Sequence, residues 1–497
     1  MGSRDTSGAV TRSLTDLGLT ARGGQGAMIS GLAVDSRDVR PGVLFAALPG
    51  ARVHGAQFAA RAVAEGAAAI LTDKAGAEIL GDRIGDAALV VAEDPRAALA
   101  RAAALWFGAQ PPTMVAVTGT NGKTSVSTFC RQLWVEMGET AVNLGTTGVE
   151  GAWSHPLRHT TPEPITLHRA LAEAARAGVT HGAMEASSHG LDQRRLDGVL
   201  LAAAGFTNFS QDHLDYHKTL DAYFEAKMGL FERVLGEDGV AVVNLDDPRG
   251  PEVAARAEAR GQEVIGVGRG PEARLRILAQ RFDATGQELR FDWQGRAHLA
   301  RLPLVGGFQA DNAMLAAGLV IAAGADAEEV FAVLPRLSTV RGRMQHAATR
   351  TNGATVFVDY AHTPDAVETA LKSLRPHVMG RIVAIVGAGG DRDKTKRPLM
   401  GEAAHRHADL VIVTDDNPRS EDPATIRTEV LLGAPDAMEV GDRAEAILRG
   451  VDALGPGDAL LICGKGHETG QIIGDDVLPF DDVEQASVAV AALDGLI

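Results

Sequence analysis

Short apolar runs recur along the chain, and longer stretches with apolar residues at helical spacing follow several of them. The runs lie at 43–48, 68–71, 88–92, 114–117, 240–244, 382–386, 410–414 and 459–463. Uninterrupted apolar runs this short read as strands buried on both faces. Many end in Gly, Asp or Asn. Their alternation with amphipathic helices predicts α/β architecture with parallel sheets. No fixed-period repeat or low-complexity segment interrupts the pattern. Two breaks stand out. Phe107-Gly-Ala-Gln-Pro-Pro112 ends an Ala-rich helix before a strand, and the basic stretch Val340-Arg-Gly-Arg-Met-Gln345 separates a helix from another strand. They divide the chain into expected domains at 1–110, 111–340 and 341–497.

Length agrees with this, since 497 residues make two to four domains at about 100–200 residues each. Aromatics are only 4%, so Ala, Val, Leu and Ile must build the cores. No stretch approaches the roughly 20 apolar residues that span a membrane. Residues 1–13 read as a frayed polar terminus without the apolar core of a signal peptide. A cytoplasmic protein without membrane insertion is expected. Cys130 and Cys463, the only cysteines, have no paired spacing and suggest neither a disulfide nor a cysteine zinc site. A net charge of −16 argues against general nucleic-acid binding. It leaves room for an anionic small substrate, because Arg392, Lys394, Lys396 and Arg397 can reverse the field in one cleft.

The strand at 114–117 runs into Thr118-Gly-Thr-Asn-Gly-Lys-Thr-Ser125, and a helix with Val126, Phe129 and Leu133 on one face follows. Gly119, Thr120, Asn121, Gly122 and Ser125 would lend backbone N–H groups to phosphate oxygens. Lys123 would reach the outer phosphates, and Thr124 would offer its hydroxyl to Mg²⁺. The loop is a shortened phosphate loop, because Val117 stands where the general pattern has its first glycine. A guanine-reading Asn-Lys-x-Asp element is missing from the sequence, so ATP is the expected nucleotide.

In the middle segment, Met184-Glu-Ala-Ser-Ser-His-Gly190 follows an expected strand at 178–183. Glu185 there suits Mg²⁺ coordination or is a solvated loop acid. Gln193, Arg194 and Arg195 come next, and arginine forks suit phosphate and carboxylate groups, though a surface arginine is commoner. His213 and His217 are four apart but have no Glu between them and no third soft ligand nearby, which weighs against zinc. Lys227 falls inside an apolar helical stripe of Leu220, Tyr223, Phe224, Phe231 and Val234. It either snorkels to solvent or is held at a site with altered charge.

Towards the C-terminus, polar loops follow three strands: Gly387-Ala-Gly-Gly-Asp-Arg-Asp-Lys-Thr-Lys-Arg397, Asp415-Asp-Asn-Pro-Arg419 and Gly464-Lys-Gly-His-Glu468. If those strands are parallel neighbours, the loops share one sheet edge, where open α/β sheets bind ligands. Their arginines and acids suit a zwitterionic amino acid. Taken singly, each is a turn with solvated charges. Val358-Asp-Tyr-Ala-His-Thr-Pro364 is a fourth shaped loop after a strand; its His and Asp serve the site or cap the next helix.

In this order, the segments at 118–124, 184–190, 208–217, 226–227 and 359–364 resemble the Mur ligase family over nearly the whole chain. The resemblance implies a uridine-nucleotide-binding α/β domain, a central phosphate-loop ATPase domain and a C-terminal Rossmann-like α/β domain. It implies an ATP-dependent ligase of peptidoglycan precursor synthesis that uses Mg²⁺; a monomer is the separate expectation, which no motif in the sequence fixes. Asp35-Ser-Arg37 resembles the element that holds the uridine nucleotide, with Val34 and Ser36 at contact positions. Thr160 and Thr161 resemble the pair that meets the muramoyl peptide, and Ser187, Gln193 and Arg195 match other precursor-binding positions. Asp416-Asn417-Pro418-Arg419 resembles the motif that accompanies meso-diaminopimelate, whose distal carboxylate Arg419 would grip. Arg392, Gly464 and Glu468 match the remaining amino-acid positions.

The implied reaction phosphorylates the D-glutamate γ-carboxylate of UDP-N-acetylmuramoyl-L-Ala-D-Glu and transfers the acyl group to the diaminopimelate amine. Lys123 would neutralise charge, Glu185 would hold metal, and His213 would hold a second metal or orient its ligand. Lys227 matches a lysine that the family carbamylates. Two departures are visible. The loop at 50–55 has His54 where the family often has Asp. Gly307-Phe-Gln-Ala-Asp-Asn312 departs from Phe-Asn-variable-Asn, with Asn312 keeping the position expected near adenine. The rivals are a lysine-adding ligase and a phosphate-loop ATPase that ligates nothing.

Overall fold

A computed structural model describes residues 11–496 except Gln25, Ala51, Arg52, Asp82, Arg158 and Ala284. Most of the polar N-terminus and two residues of the His54 loop therefore lie outside the described residues. The chain forms two compact units, one of residues 1–266 and 318–325 and the other of 267–317 and 326–497.

Among its described residues, the first unit holds the antiparallel pair Arg12–Ser13 and Met28–Ile29 and two larger sheets. Gly31–Ala33, Val43–Ala46, Ala69–Thr72 and Ala88–Val91 pair in that order, all parallel. Their buried aliphatic side chains make one core on each face. His54 accounts for one departure from the family pattern. Its Nδ1 accepts from Ala56 N at 3.1 Å and caps the short helix Gly55–Phe58, while Nε2 faces Asp73 Oδ1 at 3.1 Å. The imidazole thus does the capping that a carboxylate would do.

In the second sheet of this unit, the strands run Val240–Asn244, Ala203–Phe206, Thr113–Thr118, His181–Glu185, Ala141–Gly145 and Gly148–Gly151. All are parallel except the last. Thr113–Thr118 lies centrally and is apolar from Met114 through Val117, as a strand covered by helices on both faces must be. Residues 178–180, expected as strand, precede the ladder, which begins at His181. The two sheets meet through helices Pro95–Phe107 and Pro164–Arg176. His168, buried on the latter, places Nε2 3.3 Å from Asp197 O. Desolvation lowers its pKa to about 4.

The second unit opens with a meander of Leu275–Asp283, Gly286–Trp293 and Arg296–Leu302, paired antiparallel. Its main sheet runs Gln345–Thr349, Thr355–Asp359, Ala459–Cys463, Ile382–Val386, Leu410–Val413 and Met438–Glu439, with all but the first strand parallel. His377 ties the two parts: its Nε2 accepts from Gly306 N at 3.0 Å and its Nδ1 lies 2.7 Å from Asp283 O. The α/β class with parallel sheets is the one the apolar runs predict. Among the described residues, no helix is long and apolar enough to cross a membrane.

Candidate functional site

In the first unit the central strand Thr113–Thr118 delivers residues 119–122 to the start of helix Lys123–Glu136. Gly119 (φ +145°) and Gly122 (φ +87°) take conformations that side chains resist, and a Cβ on Gly119 would stand 1.8 Å from Thr207 Oγ1. The neighbouring strand end clamps the loop. Thr120 N donates to Asn208 O at 2.9 Å, Asn121 N to Asn208 Oδ1 at 2.9 Å, and Thr207 Oγ1 to Asn121 O at 2.6 Å. Lys123 Nζ donates to Gly119 O at 2.9 Å and Thr120 O at 2.7 Å. The amine therefore lies along the loop that would cradle phosphates.

Glu185 ends the strand His181–Glu185 and is 1% exposed. Its Oε1 accepts from Thr124 Oγ1 at 3.1 Å and from Thr146 N at 2.8 Å. Gly145 leaves room for that carboxylate, since a Cβ there would stand 1.9 Å from Oε1. Thr146 was not among the expected residues, although it directly follows the strand Ala141–Gly145. Its hydroxyl also meets Thr160 Oγ1 at 3.1 Å.

Lys227 is buried, 1% exposed, and does not snorkel. Its Nζ donates to Gly119 O at 2.7 Å and lies 4.3 Å from the Tyr223 ring centroid. Burial and the neighbouring Lys123 charge hold its pKa well below that of an ordinary lysine. The expected stripe needs one correction: Leu220 is exposed, because the first turn of helix Leu220–Gly229 faces solvent. That helix continues as a π turn through Leu230–Val234. His213 has φ +51° and a half-exposed ring, 4.9 Å from the ring of His189 and 6.0 Å from that of Tyr223.

A cleft of about 190 Å³ opens where the four-stranded sheet meets the central one. Val34, Arg96, Glu163, Gln193 and Arg195 line it with Leu48, Leu99 and Pro164. Val34, Gln193 and Arg195 come from distant segments of the sequence and meet here. Arg195 donates to Thr161 O at 2.6 Å and to Gln193 Oε1 at 2.8 Å. Thr161 Oγ1 in turn donates to Glu185 O and accepts from Ser187 N. Ser36 is buried nearby in sequence, but is not among the lining residues. Arg96 and Glu163 add charge that the sequence reading did not single out.

In the second unit the loops after Thr355–Asp359, Ala459–Cys463, Ile382–Val386 and Leu410–Val413 follow adjacent parallel strands and so share one edge. Asn417 Nδ2 donates to Glu468 Oε2 at 2.9 Å. Arg419 Nη1 donates to Gly390 O at 2.8 Å, and Arg419 has φ +51°. Gly464 (φ +116°) lets the chain pass Asp416, whose Oδ2 a Cβ would approach to 2.7 Å. Burial and the nearby Asp416 raise the pKa of Glu468. Arg392 is exposed and donates to Asp391 O at 3.0 Å. Two buried arginines brace this edge. Arg397 pairs with Glu421 and Glu429, and Arg443 pairs with Asp482 while donating to Cys463 O. Elsewhere in the unit, Asn312 Nδ2 donates to Gln309 Oε1 at 3.2 Å. Gln309, where the family pattern has Asn, thus fixes the Asn312 amide.

Comparison with known proteins gives three family matches along the chain. Residues 28–106 match the Mur ligase family catalytic domain, 117–320 the Mur ligase middle domain, and 342–466 the Mur ligase glutamate ligase domain. A Caulobacter vibrioides protein named UDP-N-acetylmuramoyl-L-alanyl-D-glutamate--2,6-diaminopimelate ligase is 49% identical over 474 residues, 94% of this chain and 96% of its own. One of the same name from Agrobacterium fabrum is 47% identical over 100% of this chain and 99% of its own. A solved structure of a ligase with that name superposes with TM-score 0.73 at 33% identity, covering 97% of this chain and 99% of its own. Mycobacterium tuberculosis folylpolyglutamate synthase complexed with ADP shares the fold, with TM-score 0.62 at 20% identity over 80% of this chain and 94% of its own.

Proposed function

The chain belongs to the Mur ligase family, and from that we propose that it joins meso-2,6-diaminopimelate to UDP-N-acetylmuramoyl-L-Ala-D-Glu at the expense of ATP. The reaction serves cytoplasmic peptidoglycan precursor synthesis, and the enzyme works as a monomer. The D-glutamate γ-carboxylate attacks the γ-phosphorus of ATP, giving an acyl phosphate and ADP. The diaminopimelate amine then attacks the acyl carbon and loses a proton, and phosphate leaves as the amide forms.

The phosphate loop at 119–125 binds the phosphates of ATP, and Asn312 matches the position that meets adenine in the family. Phosphates and carboxylate repel, and Lys123 offsets that charge along the transfer path. Thr124 Oγ1 and Glu185 Oε1, hard oxygen donors 3.1 Å apart beside the loop, fit Mg²⁺. They would hold it, with His213 supplying or orienting a further ligand, and the ion would neutralise developing phosphate charge. Burial and the Lys123 charge disfavour the Lys227 proton, and the neutral amine is the form that reacts with CO₂. Lys227 can therefore add CO₂, releasing a proton and becoming a carbamate anion. The cleft at Val34, Gln193 and Arg195, with Ser36, Thr160, Thr161 and Ser187, takes the UDP precursor.

Arg419, Asn417, Pro418 and Asp416, with Gly464, Glu468 and Arg392, take diaminopimelate. The observation that carries this substrate is the meeting of Asn417 and Glu468 at 2.9 Å on the edge shared with Arg419. Acid and amide suit the ammonium and carboxylate of one stereocentre, and the guanidinium suits the distal carboxylate. Lysine lacks that second carboxylate. Phosphate release from ATP with the UDP precursor, comparing meso-diaminopimelate with L-lysine, tests the reading. Release with diaminopimelate alone is expected. Release with lysine alone overturns the specificity, and release needing neither overturns the ligase.

A further inference from the structure

The reaction just described leaves one charged side chain of the amino-acid edge unexplained. Lys465 is 0% exposed, and a buried ammonium is costly unless well partnered. Its Nζ donates to Asn417 Oδ1 at 2.8 Å and to Gly470 O at 2.8 Å, and lies 3.5 Å from Asp416 Oδ1. Burial pulls its pKa down, and Asp416 opposes that shift. Asn417 Oδ1 also accepts from Ile472 N at 3.0 Å. With two donors on its oxygen, the Asn417 amide can turn only its NH₂ towards Glu468. The opposite flip would set that NH₂ against an ammonium and an N–H. Ile472 belongs to the hairpin of Gly470–Ile473 and Asp476–Pro479, and the same hairpin holds Arg419. Arg419 N donates to Ile472 O at 3.0 Å, and Gly474 N donates to Arg419 O at 2.8 Å.

We propose that Lys465 is a positioning residue for amino-acid recognition, fixing the Asn417 amide and tying the hairpin to the loop that carries Arg419. Its charge also offsets Asp416 and Glu468, so that the edge accepts a substrate carboxylate. The proposal rests on the diaminopimelate reading above.

The test is steady-state phosphate release by the full-length enzyme, varying each substrate in turn. Wild type is compared with Lys465→Met, Lys465→Gln, Asn417→Ala and the Lys465→Met/Asn417→Ala double variant. Loss of a hydrogen bond from a charged group predicts that Lys465→Met raises KM for diaminopimelate roughly 10- to 100-fold. The KM values for ATP and the UDP precursor stay unchanged. Lys465→Gln, which keeps a donor, recovers part of the loss. Because Lys465 acts through Asn417, the double variant should be little worse than Asn417→Ala. A lysine that only supports folding would lower kcat and leave all three KM values alone. That outcome, or full additivity, overturns the proposal. If Lys465→Met does not fold, Lys465→Gln decides by the same KM criterion. A wild type indifferent to diaminopimelate would sink the substrate reading. A diaminopimelate-dependent wild type beside a variant of unchanged KM would sink the positioning role alone.

Discussion

Lys227 sets its amine 2.7 Å from the carbonyl of Gly119, the residue that opens the phosphate loop. Lys123 reaches the same carbonyl oxygen at 2.9 Å. Burial, and then the repulsion between these two ammonium groups, lower the pKa of Lys227. Lys227→Ala is therefore expected to lower kcat at least about 100-fold, the scale of a lost charge-stabilising group. Formate or acetate, which can replace the missing anion, should restore part of the rate. If no small carboxylate restores any activity, the carbamate assignment fails.

Glu185→Gln keeps the shape of the side chain and removes its charge. Thr124 and Thr146 can still hydrogen-bond the amide oxygen, so the fold should survive. Titrating Mg²⁺ against activity should show saturation displaced to about tenfold higher metal or more, as expected for a lost first carboxylate ligand. An unchanged Mg²⁺ dependence would remove Glu185 from the metal site.

Arg195→Ala should act on one substrate. It breaks the bonds to Thr161 and Gln193 that shape the cleft. KM for the UDP precursor is expected to rise about 10- to 100-fold, the range for a charge-assisted hydrogen bond. KM for ATP should hold steady. Equal increases for both would point instead to a general disturbance of the central sheet.

His168 gives a stability prediction with a definite sign. Its pKa is about 4 when folded and about 6.5 when unfolded. Between those values the unfolded chain binds more protons, so stability rises with pH and is lost on acidification from about 6.5 to 4. The loss from this group is on the order of 3 kcal/mol at most. Denaturant unfolding of wild type and His168→Gln across that window should show a shallower pH slope in the variant.

The phosphate loop was legible in the sequence because each residue there answers a backbone requirement: a strand end, two glycines and a helix start. The parallel edge of the second unit was legible for a similar reason, since its strands are uninterrupted apolar runs ending in polar loops. Lys227 was only half legible. Its stripe placed it on the apolar face, but solvent covers Leu220 and not Lys227, and only packing decides that. Thr146 and Lys465 escaped because their chemistry depends on partners far along the chain. Glu185 lies 39 residues from Thr146, and Asn417 lies 48 from Lys465. Arg96 and Glu163 escaped because a cleft between two sheets leaves no mark on either segment alone.

The left-handed backbone of Arg419 narrows what can replace it. At φ +51° most side chains strain the main chain, whereas Gly and Asn sit there at little cost. A search for variants with a different amino-acid preference should therefore yield folded proteins with Asn or Gly at this position. Replacements such as Val or Ile would need a second change in the hairpin before the chain tolerates them. The choice of substrate and the shape of the backbone are thus inherited together.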